Sequence, residues 1–347
     1  MSFSVLLSNK FFKKQFKIIR NGILAFAVLS IVGCSTNPVT GKKDFSLINK
    51  DQELAMGKQA HNGIMKQKKR LNNAKIQAYV NNIGQQLARQ SHRKDLRYTF
   101  TVLDDPSVNA FALPGGYIYI TTGIMAYLNS EGELAGVLGH EIGHVTARHG
   151  VKQQSAGVAS SILLSVLAKQ AGGSGKEFGN LNKAILSGYG RDHELQADRL
   201  GAEYLARIGF SPKNMTDVVG VLKSQEEFAK VQARREGRQP RAYHGVFASH
   251  PRNDTRLQKI IAEANKYKKG ATRDAGHNRY LNMIAGLKYR IDKKNTGRIV
   301  VGNVKNRSVT YASLAKQSRV NEQRLRLLNG MFPNGQPVQG RLIKIIQ

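Results

Sequence analysis

The 347-residue sequence predicts an α+β fold: a mainly helical domain with a small sheet over one central helix, then a small C-terminal module. Three observations carry this. Residues 51–93, 130–150 and 191–206 place apolar side chains at three- and four-residue steps, the period of a helix. Tyr98 to Leu103 and Tyr117 to Thr122 are short, rich in aromatic and β-branched residues, and bounded by Asp104-Asp105-Pro106 and Pro114-Gly115-Gly116, so they read as strands. Residues 299–347 read as strand, two short helices and strand. Hydrophobic content of 41% is enough for a packed core.

The central helix runs from Ser130 to Gly150. Ser130 with Glu133 forms a capping-box pattern, in which hydroxyl and carboxylate each take an orphan N–H. Gly150 is placed to supply a left-handed stop. His140 and His144 are four residues apart and leave one face, where both imidazoles converge on one ion. Glu141 projects about 100° from His140 and suits a general base beside a metal. The chemistry is that of one Zn2+ per chain, with imidazole nitrogens at ~2.0–2.1 Å. The bland alternative, a surface helix with solvated histidines, conflicts with Leu134, Val137, Leu138, Ile142 and Val145. Gly136, Gly139 and Gly143 each cost up to ~1 kcal/mol against Ala, which points to close approach of backbone or substrate.

A catalytic zinc takes three protein ligands and keeps a fourth position open. The second helical stretch offers Glu194 and Asp198 on one face. Glu194 suits the third ligand, and Asp198 suits the second N–H of a ligand histidine, fixing its tautomer. Helical geometry turns the adjacent His193 elsewhere. Alone, this carboxylate pair would read as solvated.

Taken from its start, the chain opens with Lys10, Lys13, Lys14, Lys17 and Arg20, then an apolar run from Ile23 to Val32. That run is shorter than the ~20 residues of a membrane span and reads as the core of an export signal, residues 1–33. Ile31-Val32-Gly33-Cys34 resembles a bacterial lipobox, with lipidation expected on Cys34, the sole cysteine. One cysteine excludes an intrachain disulfide and any multi-cysteine zinc site. Ser35, rather than Asp, resembles the pattern sorted to the outer membrane of Gram-negative bacteria. Residues 34–50 read as a tether and 51–265 as the main domain. Lys66 to Arg70 is a basic cluster, read as a solvated face or an anion contact. Tyr117 to Thr122 reads either as a core hairpin strand or as an edge strand able to accept an extended peptide. Val158 to Ala168, before Gly172-Gly173-Ser174-Gly175, reads as a buried helix or a lid.

The net charge is +31, and +26 once the five signal cations are removed. Such an excess favours anionic partners: anionic lipid, cell-wall polymer or nucleic acid. The export signal argues against the last.

His140-Glu141-Ile-Gly-His144, Asn109 to Gly116 and Arg191-Asp-His-Glu194-Leu-Gln-Ala-Asp198, in this order, resemble the gluzincin family of BepA/LoiP-type and HtpX-type metallopeptidases, relatives of the CAAX prenyl endopeptidases. Gly190 departs from the Ser many members have before the Arg. The resemblance spans about Asp51 to Ala262 and implies a zincin peptidase domain. Its implied roles are His140, His144 and Glu194 as zinc ligands, Glu141 as catalytic base and acid, and Asp198 in support. Ser249-His250-Pro251-Arg252 through Arg256 is similar to a further family segment. It implies His250 as a regulatory fourth ligand and Arg256 as a catalytic oxyanion stabiliser. Residues 266–298 read as a connecting segment, and 299–347 resembles a LysM-like module lacking the usual Gly-Asp-Thr start. The implied function is a zinc endopeptidase of the bacterial envelope, lipid-anchored and periplasmic, acting on misfolded or unassembled envelope proteins. The alternative is a chaperone-like or envelope-binding lipoprotein with a closed zinc site.

Overall fold

A computed structural model describes residues 34–156, 190–239, 262 and 274–347. In chain order the elements are β1 (Cys34–Thr36), β2 (Lys43–Phe45), α1 (Lys50–Gln67), α2 (Ala74–Arg89), β3 (Thr99–Leu103), β4 (Ala110–Leu113) and β5 (Tyr117–Thr121). There follow α3 (Thr122–Tyr127), α4 (Glu131–Thr146), α5 (Arg191–Arg207) and α6 (Lys213–Arg235). The C-terminal part holds α7 (His277–Ile284), β6 (Lys288–Arg290), β7 (Thr296–Asn303), α8 (Tyr311–Ala315), α9 (Glu322–Leu328) and β8 (Leu342–Ile346). The order is mixed, about half helical, with small separate sheets; the mixture and the small sheets are as the sequence predicts. No described helix is long and apolar enough to cross a membrane. The expected signal, residues 1–33, and the 158–175 stretch lie outside the described residues.

The segment expected as a tether is structured. β1 and β2 pair antiparallel, and the Asn37 side chain accepts from the Val39 and Thr40 N–H groups to close the turn. Asp44 is ion-paired with Lys152, and Ser155 accepts from the Leu47 N–H, so this hairpin is tied to the chain just beyond α4. α1 starts at Asn49 with a full capping box to Gln52, and α2 at Asn73, whose side chain accepts from Ile76 N–H. α2 buries Ile76, Val80, Ile83 and Leu87, the expected stripe. From the basic cluster, Lys68 pairs with Asp105, and the 69–71 segment lies along β3.

The first three-stranded sheet has the order β3-β5-β4, with β3 and β5 parallel and β4 antiparallel to β5. The Tyr117–Thr121 strand is therefore central, not an edge. A tight turn reverses the chain onto it, with Gly115 and Gly116 at φ 76° and 95°, a region glycine enters freely. The edge falls to β4. Its outer side pairs with no strand among the described residues, whereas residues 69–71 cover β3.

α4 is the centre of the core. Every residue of it except Glu133 is buried, as expected of a helix apolar on all sides. Ser130 caps it by accepting from Glu133 N–H, but the Glu133 carboxylate reaches Asn129 N–H rather than Ser130. The stop also differs from expectation. α4 ends at Thr146, and the left-handed residue is Arg148 (φ 58°), not Gly150. Arg148 donates to Glu53 at 2.9 Å and to the Ile48 carbonyl at 2.8 Å, which offsets the ~1–2 kcal/mol that a left-handed L-residue costs. The fully buried Glu53 also binds Arg93 at 2.5 Å. Residues 149–156 are helical again, on a changed axis.

The glycines of α4 serve helix packing. A Cβ on Gly139 would lie 3.3 Å from the Gly201 backbone, and one on Gly143 would lie 2.9 Å from the Ala197 carbonyl. α5 thus lies against α4 through Ala197 and Gly201. Gly132 and Gly136 do the same for Asn214 at the start of α6.

The C-terminal part forms a second sheet, β6-β7-β8, all antiparallel, with α8 and α9 between β7 and β8. β6 comes from the stretch read as a connector. This part shares the core: Tyr280 donates to the Met125 carbonyl, Tyr127 bonds Tyr289, and Lys344 donates to the Ala126 and Leu128 carbonyls at 2.8 Å each.

Candidate metal centre

α4 and α5 bring three donors together. His144 Nε2 lies 3.0 Å from His140 Nε2 and 3.4 Å from Glu194 Oε1, while His140 Nε2 lies 3.5 Å from Glu194 Oε2. Ligands ~2.0–2.1 Å from one ion at tetrahedral angles sit roughly 3.3–3.4 Å apart, so two imidazoles and a carboxylate fit zinc. Among the described residues this is the group of three able to hold a metal. All three are buried; Glu194 is 0% exposed. Three converging buried polar groups need a counterpart, and a divalent cation is one.

Burial works against the charged imidazole of His140. The Asp198 and Glu194 carboxylates outweigh it and push its pKa up to about 10. Asp198 Oδ1 lies 2.9 Å from His140 Nδ1, the ring nitrogen turned away from Glu194 and His144. Glu141 is 2% exposed on α4, between the two histidines. His250 and Arg256 lie outside the described residues. Cys34 begins β1.

His149 and Gln196 join the site without having been singled out. His149 Nδ1 lies 2.9 Å from His144 Nδ1, and its Nε2 lies 3.0 Å from Gln196 Oε1. His193 stacks on His149 with ring centroids 4.2 Å apart. Burial, reinforced by His193, pulls the His149 pKa down to about 3 and keeps the ring neutral. The spacing of His149, five after His144, matches no helical face, which hid it. The Glu53–Arg93–Arg148 cluster was hidden too, because its members are far apart in sequence. Beside the donors, Ala112, Leu113 and Pro114 of the sheet edge and His144, Val145, Arg148 and Val151 line one cavity. β4 and His144 thus line one cavity wall.

Two histidines of one helix and a glutamate of the next define a gluzincin-type metal centre. Comparison of the sequence places that centre in a family: residues 74–264 match the model of peptidase family M48. The chain belongs to peptidase family M48. It is 28% identical over 243 residues to the Beta-barrel assembly-enhancing protease of Yersinia pestis, covering 67% of this chain and 48% of that protein. It is 33% identical over 159 residues to Metalloprotease LoiP of Escherichia coli, covering 44% and 57%. To the Mitochondrial metalloendopeptidase OMA1 of Schizosaccharomyces pombe it is 28% identical over 228 residues, 64% of each chain. The chain spans about half the length of the assembly-enhancing proteases it matches.

Proposed function

We propose that the protein is a zinc-dependent endopeptidase of the bacterial envelope. The observation that carries this is the convergence of His140, His144 and Glu194, with Glu141 buried between the two histidines. Zinc held there supplies a Lewis acid and lowers the pKa of the attacking water towards ~7. Glu141 accepts the proton of that water and returns it to the leaving amine nitrogen. An extended peptide adds to the outer edge of β4 through main-chain hydrogen bonds, which asks little of its side chains. That suits substrates recognised by being unfolded. The names of the relatives in Yersinia pestis and Escherichia coli support misfolded or unassembled envelope proteins as the substrate class.

The remaining assignments extend this reading. Residues 1–33 are an export signal and Cys34 the lipidated residue of a periplasmic, outer-membrane lipoprotein. Lipid with further acyl chains, at ~0.8 kcal/mol per buried methylene, holds it to the membrane. The net charge of +31 favours contact with anionic lipid or cell wall. His250 gates the zinc, and Arg256 stabilises the developing oxyanion. The strand–helix–helix–strand order of β7 to β8 supports a LysM-like unit.

The test is cleavage of an unfolded model protein by the purified chain and by Glu141→Gln. The variant is expected to keep its zinc and its melting temperature while cleavage falls by about 10²–10⁴-fold. Turnover at the parental rate by this variant would refute the mechanism.

A further inference from the structure

We infer that Gln196 and His149 together fix the tautomer of His144, making His149 a positioning residue for the metal. The inference rests on the zinc-site reading above.

One line of hydrogen bonds places each proton. His144 Nε2 faces His140 Nε2 and Glu194, so it is the donor atom and must carry a lone pair. The single proton of neutral His144 then sits on Nδ1. That nitrogen is 2.9 Å from His149 Nδ1, and two nitrogens at this distance share one proton, so His149 Nδ1 accepts. The proton of His149 therefore sits on Nε2, which donates to Gln196 Oε1 at 3.0 Å. One amide orientation sets every proton in the chain. With the amide reversed, each proton would move across its ring, and His144 Nε2 would carry hydrogen towards the metal.

The surroundings hold this arrangement. His149 is 0% exposed, and His193 stacks on its ring at an interplanar angle of 18°. Gln196 and His193 come from α5, the same helix that supplies Glu194 and Asp198. α5 thus addresses both ligand histidines: Asp198 through His140 Nδ1, and Gln196 through His149 to His144. The chain path makes this possible. On a continuous helix, residue 149 would point about 140° away from residue 144. The left-handed Arg148 breaks the helix and returns the His149 ring to His144. The two ligands are then unlike. A carboxylate backs His140, and a neutral imidazole, an uncommon partner for a ligand histidine, backs His144.

The test measures zinc affinity of the purified chain by competition with a chromophoric chelator, beside the absorption spectrum of the Co2+-loaded form. His149→Phe fills the space but accepts no proton, and zinc affinity is expected to fall about 10–100-fold. His149→Asn restores an acceptor near Nδ1 and is expected to recover most of that loss, together with the parental Co2+ spectrum. Gln196→Glu, acceptor only, should bind like the parent, and Gln196→Leu should weaken binding. Parental zinc affinity in both His149→Phe and Gln196→Leu overturns the inference while leaving the zinc site standing. If His149→Phe does not fold, the Gln196 pair decides alone: equal affinities in Glu and Leu overturn it, and a loss confined to Leu supports it. A parent chain whose zinc binding is unaffected by His140→Ala overturns the site itself, and the inference with it.

Discussion

At the residue scale, the two buried histidines that flank His144 have opposite titrations. In metal-free protein the His140 pKa is raised to about 10 from 6.5, so its stabilising contribution is complete below pH 6.5 and is lost as pH rises towards that value. The His149 pKa is depressed to about 3 from 6.5, so its contribution is complete above pH 6.5 and is lost as pH falls towards it. These two groups therefore give stripped protein its highest stability near pH 6.5. Zinc takes the place of the His140 proton, so the stabilisation by zinc should grow as pH rises. Melting temperatures of stripped and zinc-loaded protein across this range check both. A stripped protein that gains stability between about pH 7 and pH 9 would contradict the assignment of His140. His140 and His144 were legible as a donor pair because residue type and four-residue spacing bring them onto one helix face. His149 was not, because its position depends on a left-handed arginine, and no sequence rule places an arginine there. The Glu53 carboxylate and the Ile48 carbonyl, about a hundred residues upstream, hold it there.

At the element scale, the centre depends on how closely α5 approaches α4. The glycines at 139 and 143 signalled close approach, and the structure identifies the neighbour as α5 backbone rather than substrate. Gly143→Ala would place its Cβ 2.9 Å from the Ala197 carbonyl oxygen and 3.0 Å from its Cα. Backbone on both sides cannot yield, so the helices must separate. The expected cost is about 1–3 kcal/mol of stability, with weaker zinc binding because Glu194 and Asp198 move with α5. Urea unfolding and zinc titration of this variant measure it; unchanged zinc affinity would mean that α5 tolerates the shift. The sheet was legible only in part. Two of its three strands were visible in the sequence; β4 was not, and neither was strand order, because an edge is defined by what lies beside it. β5 has the more β-rich sequence and lies in the centre, and β4, short and alanine-rich, shares a cavity with His144.

At the scale of the whole molecule, the C-terminal part is bound into the peptidase core. Lys344, fully buried on β8, donates to carbonyls at the C-terminal end of α3, where a cation is favoured. Burial lowers its pKa, and burial raises that of Glu133, the partly opposing charge nearby on α4. His277 lies between the Asn129 carbonyl and the Leu342 carbonyl, and Arg279 binds Glu131 in the first turn of α4. The start of α4 is thus held by α7, which His277 ties in turn to β8. Calorimetric unfolding of the purified chain is expected to show one transition for the two parts. Two resolved transitions, with zinc shifting only one, would mean that these contacts do not couple them.

The sequence by itself determined the helix that carries His140, Glu141 and His144, and the second helix that carries Glu194 and Asp198. Those features follow from residue chemistry and the 3.6-residue turn, which act within a few positions. The tertiary structure alone decided which nitrogen of His144 faces His140 and Glu194, which strand lies at the sheet edge among the described residues, and where the C-terminal sheet docks. Each of these depends on distances between segments remote in the chain, and such distances are fixed only when the core packs.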